Sequence, residues 1–342
     1  MPDFNLNDTL NFAGKLTPAR LWNALKVYSS FLLSSLTGKP VQWGYPVSVS
    51  FEPTTSCNLR CPECPSGLRA FTRPTGMLKK DFFTETIDDI HKELLYLIFY
   101  FQGEPYLNTS FLDMVRYATD KGIYTATSTN AHYLTEEAAK KTVESGLDRL
   151  IISIDGTTQE TYKQYRVGGN IEKVKEGARN IVKWKKELKS KTPFVIFQFL
   201  VVKHNEHQIA DIKALAKEIG VDQVRFKTAQ VYDYENDPNN LIPVNEKYSR
   251  YKKNADGSFK AKNKFANRCS KLWHANVITW DGLVVPCCFD KDATHQLGNL
   301  KNESFKSVWK NDNYRQFRGE LMKGRKNIDI CANCSEGESV WK

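Results

Sequence analysis

The sequence predicts an α/β fold: a partial (β/α)6, TIM-like barrel followed by a small C-terminal cysteine-rich α+β module. Two observations carry that prediction. Apolar runs alternate with amphipathic segments through the middle of the chain, as a series of βα units does. The eight cysteines divide around that stretch, with Cys57, Cys61 and Cys64 before it and Cys269, Cys287, Cys288, Cys331 and Cys334 after it. Strands are expected over 47–52, 95–101, 123–128, 150–155, 194–203 and 223–228. Helices are expected near 80–92, 109–121, 135–145, 170–189 and 206–219. Thr135 can cap the third helix with Glu136 and Glu137 in its first turn, although Ala138 leaves the capping box incomplete. Gly122, Gly146 and Gly220 stand where helices should stop. Parallel strands with crossover helices can close partly into a barrel, and chemistry then belongs at the C-terminal strand ends.

Composition narrows the class. With 342 residues, 41% of them hydrophobic and 26% charged, the chain is neither disordered nor fibrous. Asp3 and Asp8 and the lack of an apolar h-region argue against a secretory signal. No run reaches the roughly 18 apolar residues of a membrane span. The expected location is therefore cytoplasmic, where cysteines bind metal or sit in the core more often than they form disulfides.

Four segments are expected: an N-terminal amphipathic helical extension (1–45), the barrel (46–230), a basic polar connector (231–268) and the cysteine module (269–342). In the extension, a helix over 17–37 places Leu21, Trp22, Leu25, Tyr28, Phe31, Leu32, Leu33 and Leu36 on one side. That stripe is expected to pack on the protein's own barrel; the alternative is peripheral membrane contact or a partner groove. The run Thr279-Trp280-Asp281-Gly282-Leu283-Val284 reads as a hairpin turn.

Cys57-Asn-Leu-Arg-Cys61-Pro-Glu-Cys64 follows the first strand directly. Three thiolates leave one position of a tetrahedral ion or cubane open, which suits a metal centre that binds substrate better than a closed structural zinc. This CxxxCxxC motif resembles that of the radical S-adenosylmethionine superfamily. The resemblance implies that the three cysteines hold a [4Fe-4S] cluster whose open iron chelates S-adenosylmethionine. It implies cleavage to a 5′-deoxyadenosyl radical that abstracts a substrate hydrogen, and a low-potential donor such as flavodoxin or ferredoxin. Gln102-Gly103-Glu104 resembles the family's GGE element, with Gln102 in place of the first glycine. Asn130, Ser153, Asp155 and Arg166 resemble further cofactor-binding positions, Arg166 as a carboxylate partner; Ala131 departs from the family's Thr-Asn-Gly. Glu63 stands where relatives carry an aromatic against adenine, so Phe226 becomes the candidate for that contact.

Cys269, Cys287, Cys331 and Cys334 make a second set, which on ligand chemistry alone fits zinc as well as an iron–sulfur cluster. The set resembles a SPASM or twitch module, which implies one fully ligated auxiliary [4Fe-4S] cluster able to take an electron from substrate. The layout resembles dehydrogenases of sugar-like alcohols within the superfamily. Cys288 reads as a buried small residue or an alternative ligand. Asp290, Lys227, Arg225 and Tyr232 are candidates for substrate contact or catalysis by their position near strand ends.

Residues 246–271 hold nine Lys/Arg (Lys247, Arg250, Lys252, Lys253, Lys260, Lys262, Lys264, Arg268, Lys271) against Glu246 and Asp256, which is +7 of the net +10. Either an acidic substrate or a solvated face accounts for them, and no RNA-binding motif supports a nucleic-acid partner. The lysines 183–191 read as a solvated helix end. The sequence thus points to a radical enzyme that oxidises a small sugar-like molecule, with maturation of a ribosomally made peptide as the alternative. The non-enzymatic alternative is a zinc-stabilised protein that binds RNA or an acidic partner.

Overall fold

The computed structural model describes residues 5–262, 266–334 and 336; Asp3 and Lys264 lie outside them. Two helices, α1 (Leu6–Ala13) and α2 (Pro18–Thr37), precede the barrel. Its six parallel strands are β1 (Ser48–Phe51), β2 (Tyr96–Ile98), β3 (Tyr124–Thr129), β4 (Arg149–Ser153), β5 (Phe194–Val201) and β6 (Gln223–Thr228), paired in chain order. The crossovers carry α3 (Pro65–Leu68), α4 (Lys80–Ile90), α5 (Phe111–Asp120), α6 (Glu136–Glu144), α7 (Gln159–Tyr165), α8 (Ile171–Glu187) and α9 (Ile209–Ile219). Thr135 caps α6 as expected, accepting from the Ala138 amide.

Period-2 alternation divides each strand between two environments. Val49, Phe51, Leu97, Leu150, Ile152, Val195, Phe197 and Phe199 are fully buried in one core with Phe83, Ile87, Val115 and Ile181 of the helices. Ser48, Ser50, Tyr96, Ile98 and Arg149 alternate with them and face the lumen. The short helices α1, α3 and α7 had no separate signature, because fewer than about three turns show no clear period.

The connector is less irregular than its composition suggests, since β7 (Tyr251–Lys253) and β8 (Phe259–Ala261) form an antiparallel pair. The C-terminal module contains α10 (Lys271–His274), β9 (Ala275–Ile278), β10 (Leu283–Val285), β11 (Gly298–Asn299), α11 (Phe305–Lys310), α12 (Asp312–Gly324) and α13 (Asp329–Ala332). The expected hairpin joins β9 to β10, with Gly282 at φ 92°. β9 pairs parallel with β1, so barrel and module share one nine-stranded sheet, ordered β11-β10-β9-β1-β2-β3-β4-β5-β6. A buried ion pair reinforces the junction. Glu52, just past β1, takes a bidentate contact from Arg73 at 2.8 and 2.5 Å, and the Trp280 amide donates to the same carboxylate at 3.3 Å.

α2 overturns the expectation for its stripe. The residues it packs against the barrel are Arg20, Asn23, Val27, Ser30 and Ser34. Leu21, Trp22, Leu25, Leu32 and Leu36 are 54–77% exposed. Buried polar side chains dictate this orientation by satisfying carbonyls at helix ends. The Arg20 guanidinium donates to the backbone oxygens of His91, Lys121 and Gly122, at the ends of α4 and α5. The Asn23 amide donates to the Tyr45 carbonyl and accepts from the Tyr45 N–H. Of the named aromatics, Phe31 packs edge-on against Trp273 at 5.4 Å and Tyr28 lies 5.9 Å from the His274 ring.

Glu52→Gln leaves the Arg73 guanidinium buried without its counter-charge and should cost about 3–5 kcal/mol. Equilibrium denaturation under anaerobic conditions checks this; a loss below about 1 kcal/mol would mean the pair does not hold the junction.

Candidate functional site

The cysteine loop after β1 is pinned by main-chain hydrogen bonds to the loop after β2. The Gly103 N–H donates to Ser66 Oγ at 2.8 Å, and the Glu104 N–H donates to the Ser56 carbonyl at 2.8 Å. Gly103 sits at φ 74°, and a Cβ there would lie 2.1 Å from the Thr54 oxygen and 2.8 Å from the Ser56 oxygen. The family's glycine requirement thus falls at 103, while Gln102 is accommodated as a buried side chain 3.9 Å from Cys64 Sγ.

Cys57, Cys61 and Cys64 line one pocket of about 200 Å3 with Gly103, Glu104 and Asn130. Ser153, Arg166, Tyr100, Phe101, Ser128 and Tyr165 complete its wall. The pocket lies at the C-terminal strand ends, where barrel chemistry is expected. Burial pushes the Cys57 thiol up to about 11 and raises that of Cys61. Buried thiols that resist ionisation fit a cationic iron cluster, which would offset their charge as thiolates.

Glu104 is buried and its carboxylate accepts from Thr129 Oγ1 at 2.7 Å, the Asn130 N–H at 2.8 Å and the Tyr106 N–H at 3.3 Å. Burial, against these donors, raises its pKa to about 7. With about four acceptor sites on a carboxylate, one remains for a ligand. Asn130 reaches Asn58 Oδ1 at 2.7 Å and lies 3.9 Å from Cys57 Sγ. Ala131, one residue on, holds φ 64°, which explains a glycine there in relatives. Asp155 is absent from the pocket lining; it pairs with Arg166 Nε at 2.5 Å and accepts from the Leu200 N–H. Arg166 Nη1 lies 3.8 Å from Cys61 Sγ, so the guanidinium stands between carboxylate and thiol.

Phe226 does not reach this pocket. It packs outside the barrel between Phe199 at 6.0 Å and Tyr248 at 5.7 Å. Sequence reading missed Tyr100, Phe101 and Tyr165, although Tyr100 and Phe101 close an expected strand and so carried a positional signal. Glu63 accepts from the Tyr232 N–H at 2.9 Å and from Asn239 at 3.2 Å, tying the cysteine loop to the connector.

Cys269, Cys287, Cys331 and Cys334 line a second pocket, with Arg325, Lys271 and Phe317 on its wall. Burial pushes Cys331 up to about 12. Among the described residues no three His, Cys, Asp or Glu side chains gather closely enough for a single metal ion. Cys288 stands apart from this set: it is exposed rather than buried, and it lines a third cavity.

That cavity measures about 800 Å3 and lies between the N-terminal helices and residues of β1, β2, β4 and β9, sharing Lys271 and Cys287 with the second cysteine pocket. Ser50, Ile98 and Arg149 of the barrel, Cys287 and Cys288, and Phe12 of α1 are on its wall. Tyr100 lines the first pocket and its carbonyl accepts from Ser50 Oγ of the lumen wall at 3.3 Å; its phenol is raised by burial and within electrostatic reach of Cys288, Tyr96, Arg149 and Arg225. α1 plugs the far end: Asp8 accepts from Tyr124 and Arg149, and Phe12 lies 6.2 Å from the Tyr96 ring and 5.2 Å from that of Tyr124.

The catalytic candidates separate. Arg225 shares the field of Arg149, Tyr96 and Asp8 at the lumen, and burial lowers its pKa. Lys227 is exposed at the end of β6. Asp290 is buried and accepts from Thr294 N–H, Thr294 Oγ1 and His295 N–H at 2.8–2.9 Å, so it shapes its own loop and makes a poor general base. Tyr232 is 51% exposed, with Lys291 Nζ 4.6 Å above its ring. The basic segment is partly consumed internally, since Lys271 and Arg250 approach Glu336 and Lys262 approaches Glu246. Lys183 and Lys185 pair with Glu136 and Asp222, which accords with a solvated helix end.

Gly103→Ala should displace the cysteine loop and cost the first site its metal, lowering anaerobically reconstituted iron by about half. Iron content unchanged from wild type would show that the close approach is not required.

Two family models match the chain: Radical SAM superfamily over residues 51–216, and the SPASM iron-sulfur cluster-binding domain over residues 269–335. The chain is 29% identical over 316 residues to the tungsten-containing aldehyde ferredoxin oxidoreductase cofactor-modifying protein of Pyrococcus furiosus, covering 83% of this chain and 86% of that one. Its fold matches that of BtrN crystallised with AdoMet and 2-DOIA, with a TM-score of 0.52, 17% identity and coverage of 85% and 94%. It also matches Streptococcus suis SuiB bound to the precursor peptide SuiA, with a TM-score of 0.64, 13% identity and coverage of 92% and 74%. An iron–sulfur module takes the place of the zinc alternative. The chain belongs to the radical SAM superfamily, an enzyme that works with S-adenosylmethionine, a [4Fe-4S] cluster and an auxiliary iron–sulfur centre in its C-terminal SPASM domain.

Proposed function

We propose that this enzyme oxidises a small molecule held in the barrel lumen, passing one electron to the auxiliary cluster. The observation that carries the reading is the cavity of about 800 Å3, whose wall includes both barrel strands and Cys287 of the second cysteine set. That volume suits a small ligand, which commonly occupies about 300–1,000 Å3. The P. furiosus relative, by its description a cofactor-modifying protein, supports a small-molecule substrate; SuiB, bound to a precursor peptide, supports the alternative of peptide maturation.

Cys57, Cys61 and Cys64 would hold the first cluster, and Cys269, Cys287, Cys331 and Cys334 the auxiliary one. When bound, S-adenosylmethionine and its cluster supply the radical chemistry that takes a hydrogen atom from substrate. The substrate would then give one electron to the auxiliary cluster held in part by Cys287 and one proton to solvent, which completes loss of two electrons and two protons. Arg166, oriented by Asp155, would pair with the cofactor carboxylate, and the Gly103 loop with Glu104's remaining acceptor site would receive its ammonium. Tyr100 of the cofactor pocket would meet the lumen wall through Ser50, and Phe12 of α1 packs on Tyr124 at the barrel's far end. Arg225 and Arg149 would then favour an anionic or hydroxyl-rich substrate.

Anaerobic incubation with S-adenosylmethionine and a low-potential reductant such as reduced flavodoxin should yield 5′-deoxyadenosine from protein carrying about eight irons. The Cys57/Cys61/Cys64 triple alanine variant should keep about four irons and lose that product. With substrate, reduction of the auxiliary cluster should accompany turnover; turnover with that cluster unchanged in redox state would reject the oxidation reading.

A further inference from the structure

α2 turns its apolar side away from the protein. Leu21, Leu25, Leu32 and Leu36 fall along one stripe at 3–4 and 7-residue spacing, with Trp22 beside it, and all five are more than half exposed. Leu6 and Leu10 of α1, each about 60% exposed, Leu16 between the helices and Trp43 after α2 extend the apolar surface. The inverted helix is rigidly seated, because Arg20 and Asn23 anchor it to carbonyls of the barrel layer. Among the described residues, no other segment of this chain covers those five side chains.

Charge identifies what does. From Thr9 to Phe51 the chain contains no Asp or Glu; of its four cations Arg20 is buried against the barrel and Lys15 pairs with Asp148, which leaves Lys26 and Lys39 beside the stripe. Lys310 stands 4.7 Å above the Tyr45 ring at the end of the same segment. An apolar face with exposed tryptophans, whose one acid, Asp8, is turned inward to Tyr124 and Arg149, and which Lys26 and Lys39 border, complements an anionic lipid headgroup layer. We infer that α1 and α2 form a docking face for an anionic membrane surface, with the helix axes in the plane of the interface. Among the described residues no helix is long and apolar enough to cross a membrane, so the contact is peripheral.

The lumen cavity lies beneath the same hairpin, sharing Phe12, Leu16, Ala24 and Tyr28 with it. Its opposite wall is more polar, with Ser48, Ser50 and Arg149. An amphipathic substrate, with a polar head toward the strands and an apolar tail toward the helices, fits that division. This extension rests on the lumen being the substrate site, whereas the docking itself does not.

Sedimentation of reconstituted holoenzyme with vesicles tests the docking directly. Binding to phosphatidylcholine vesicles containing phosphatidylglycerol should exceed binding to phosphatidylcholine alone by on the order of tenfold. Trp22→Ser with Leu25→Ser should cut binding by a similar factor, leaving 5′-deoxyadenosine formation in detergent-free solution unchanged. Lys26→Glu with Lys39→Glu should remove the preference for anionic lipid. Wild-type protein that stays in the supernatant with anionic vesicles overturns the inference. So does a dimer in sedimentation velocity that Trp22→Ser with Leu25→Ser dissolves, since a second copy would then be what covers the face. Docking without any effect of amphipathic compounds on turnover would reject only the substrate extension.

Discussion

The parallel pairing of β9 with β1 is the constraint on which the rest of the site depends. Four registered residue pairs, Ser48 with Ala275 through Phe51 with Ile278, make the C-terminal module an edge continuation of the barrel sheet. Both cysteine sets are therefore placed relative to neighbouring strands of one rigid object, and neither hangs on a flexible linker. Glu52 and Arg73 reinforce the register where the first cysteine loop returns, and Trp280 of the module shares the same carboxylate. Asp292 adds a further tie through the Thr72 N–H at 2.9 Å.

Within that frame the first site is built mainly from backbone. Gly103 approaches the Thr54 and Ser56 carbonyls more closely than any side chain would permit, and the Ser66 hydroxyl and Ser56 carbonyl take the amides of the loop. The acidic and basic side chains then work through one another: Asp155 holds Arg166, Glu104 holds the start of the loop at Asn130, and Glu63 reaches across to the connector. Glu63 is a departure from the aromatic common in relatives, and its place is structural, since both its oxygens are engaged by connector groups.

The N-terminal helix shows how an amphipathic pattern can mislead. Periodicity establishes that a helix has an apolar side; it carries no information on which side faces the protein. Two polar residues, Arg20 and Asn23, decide the question here, because Arg20 satisfies carbonyls at the ends of α4 and α5 and Asn23 pairs with both backbone groups of Tyr45, which would otherwise lack these partners. Burying the leucine stripe instead would strand those carbonyls. The result is a platform whose outward face is more apolar than its inward one.

Strand order, the parallel barrel, the hairpin at Gly282 and the division of cysteines into three, four and one were legible in the sequence, because local periodicity and short spacings encode them. Cys57, Cys61 and Cys64 lie within eight residues, so their convergence needed only one loop. Tertiary structure alone decided the rest. Asp290 looked available and is consumed by its own loop, Phe226 points outward by the strand's alternation, and Cys288 faces the lumen rather than the core. The β1–β9 pairing joins segments more than 220 residues apart, and the large cavity exists only between elements from both ends of the chain. Such contacts depend on which faces meet, and a linear pattern fixes the faces without fixing their partners.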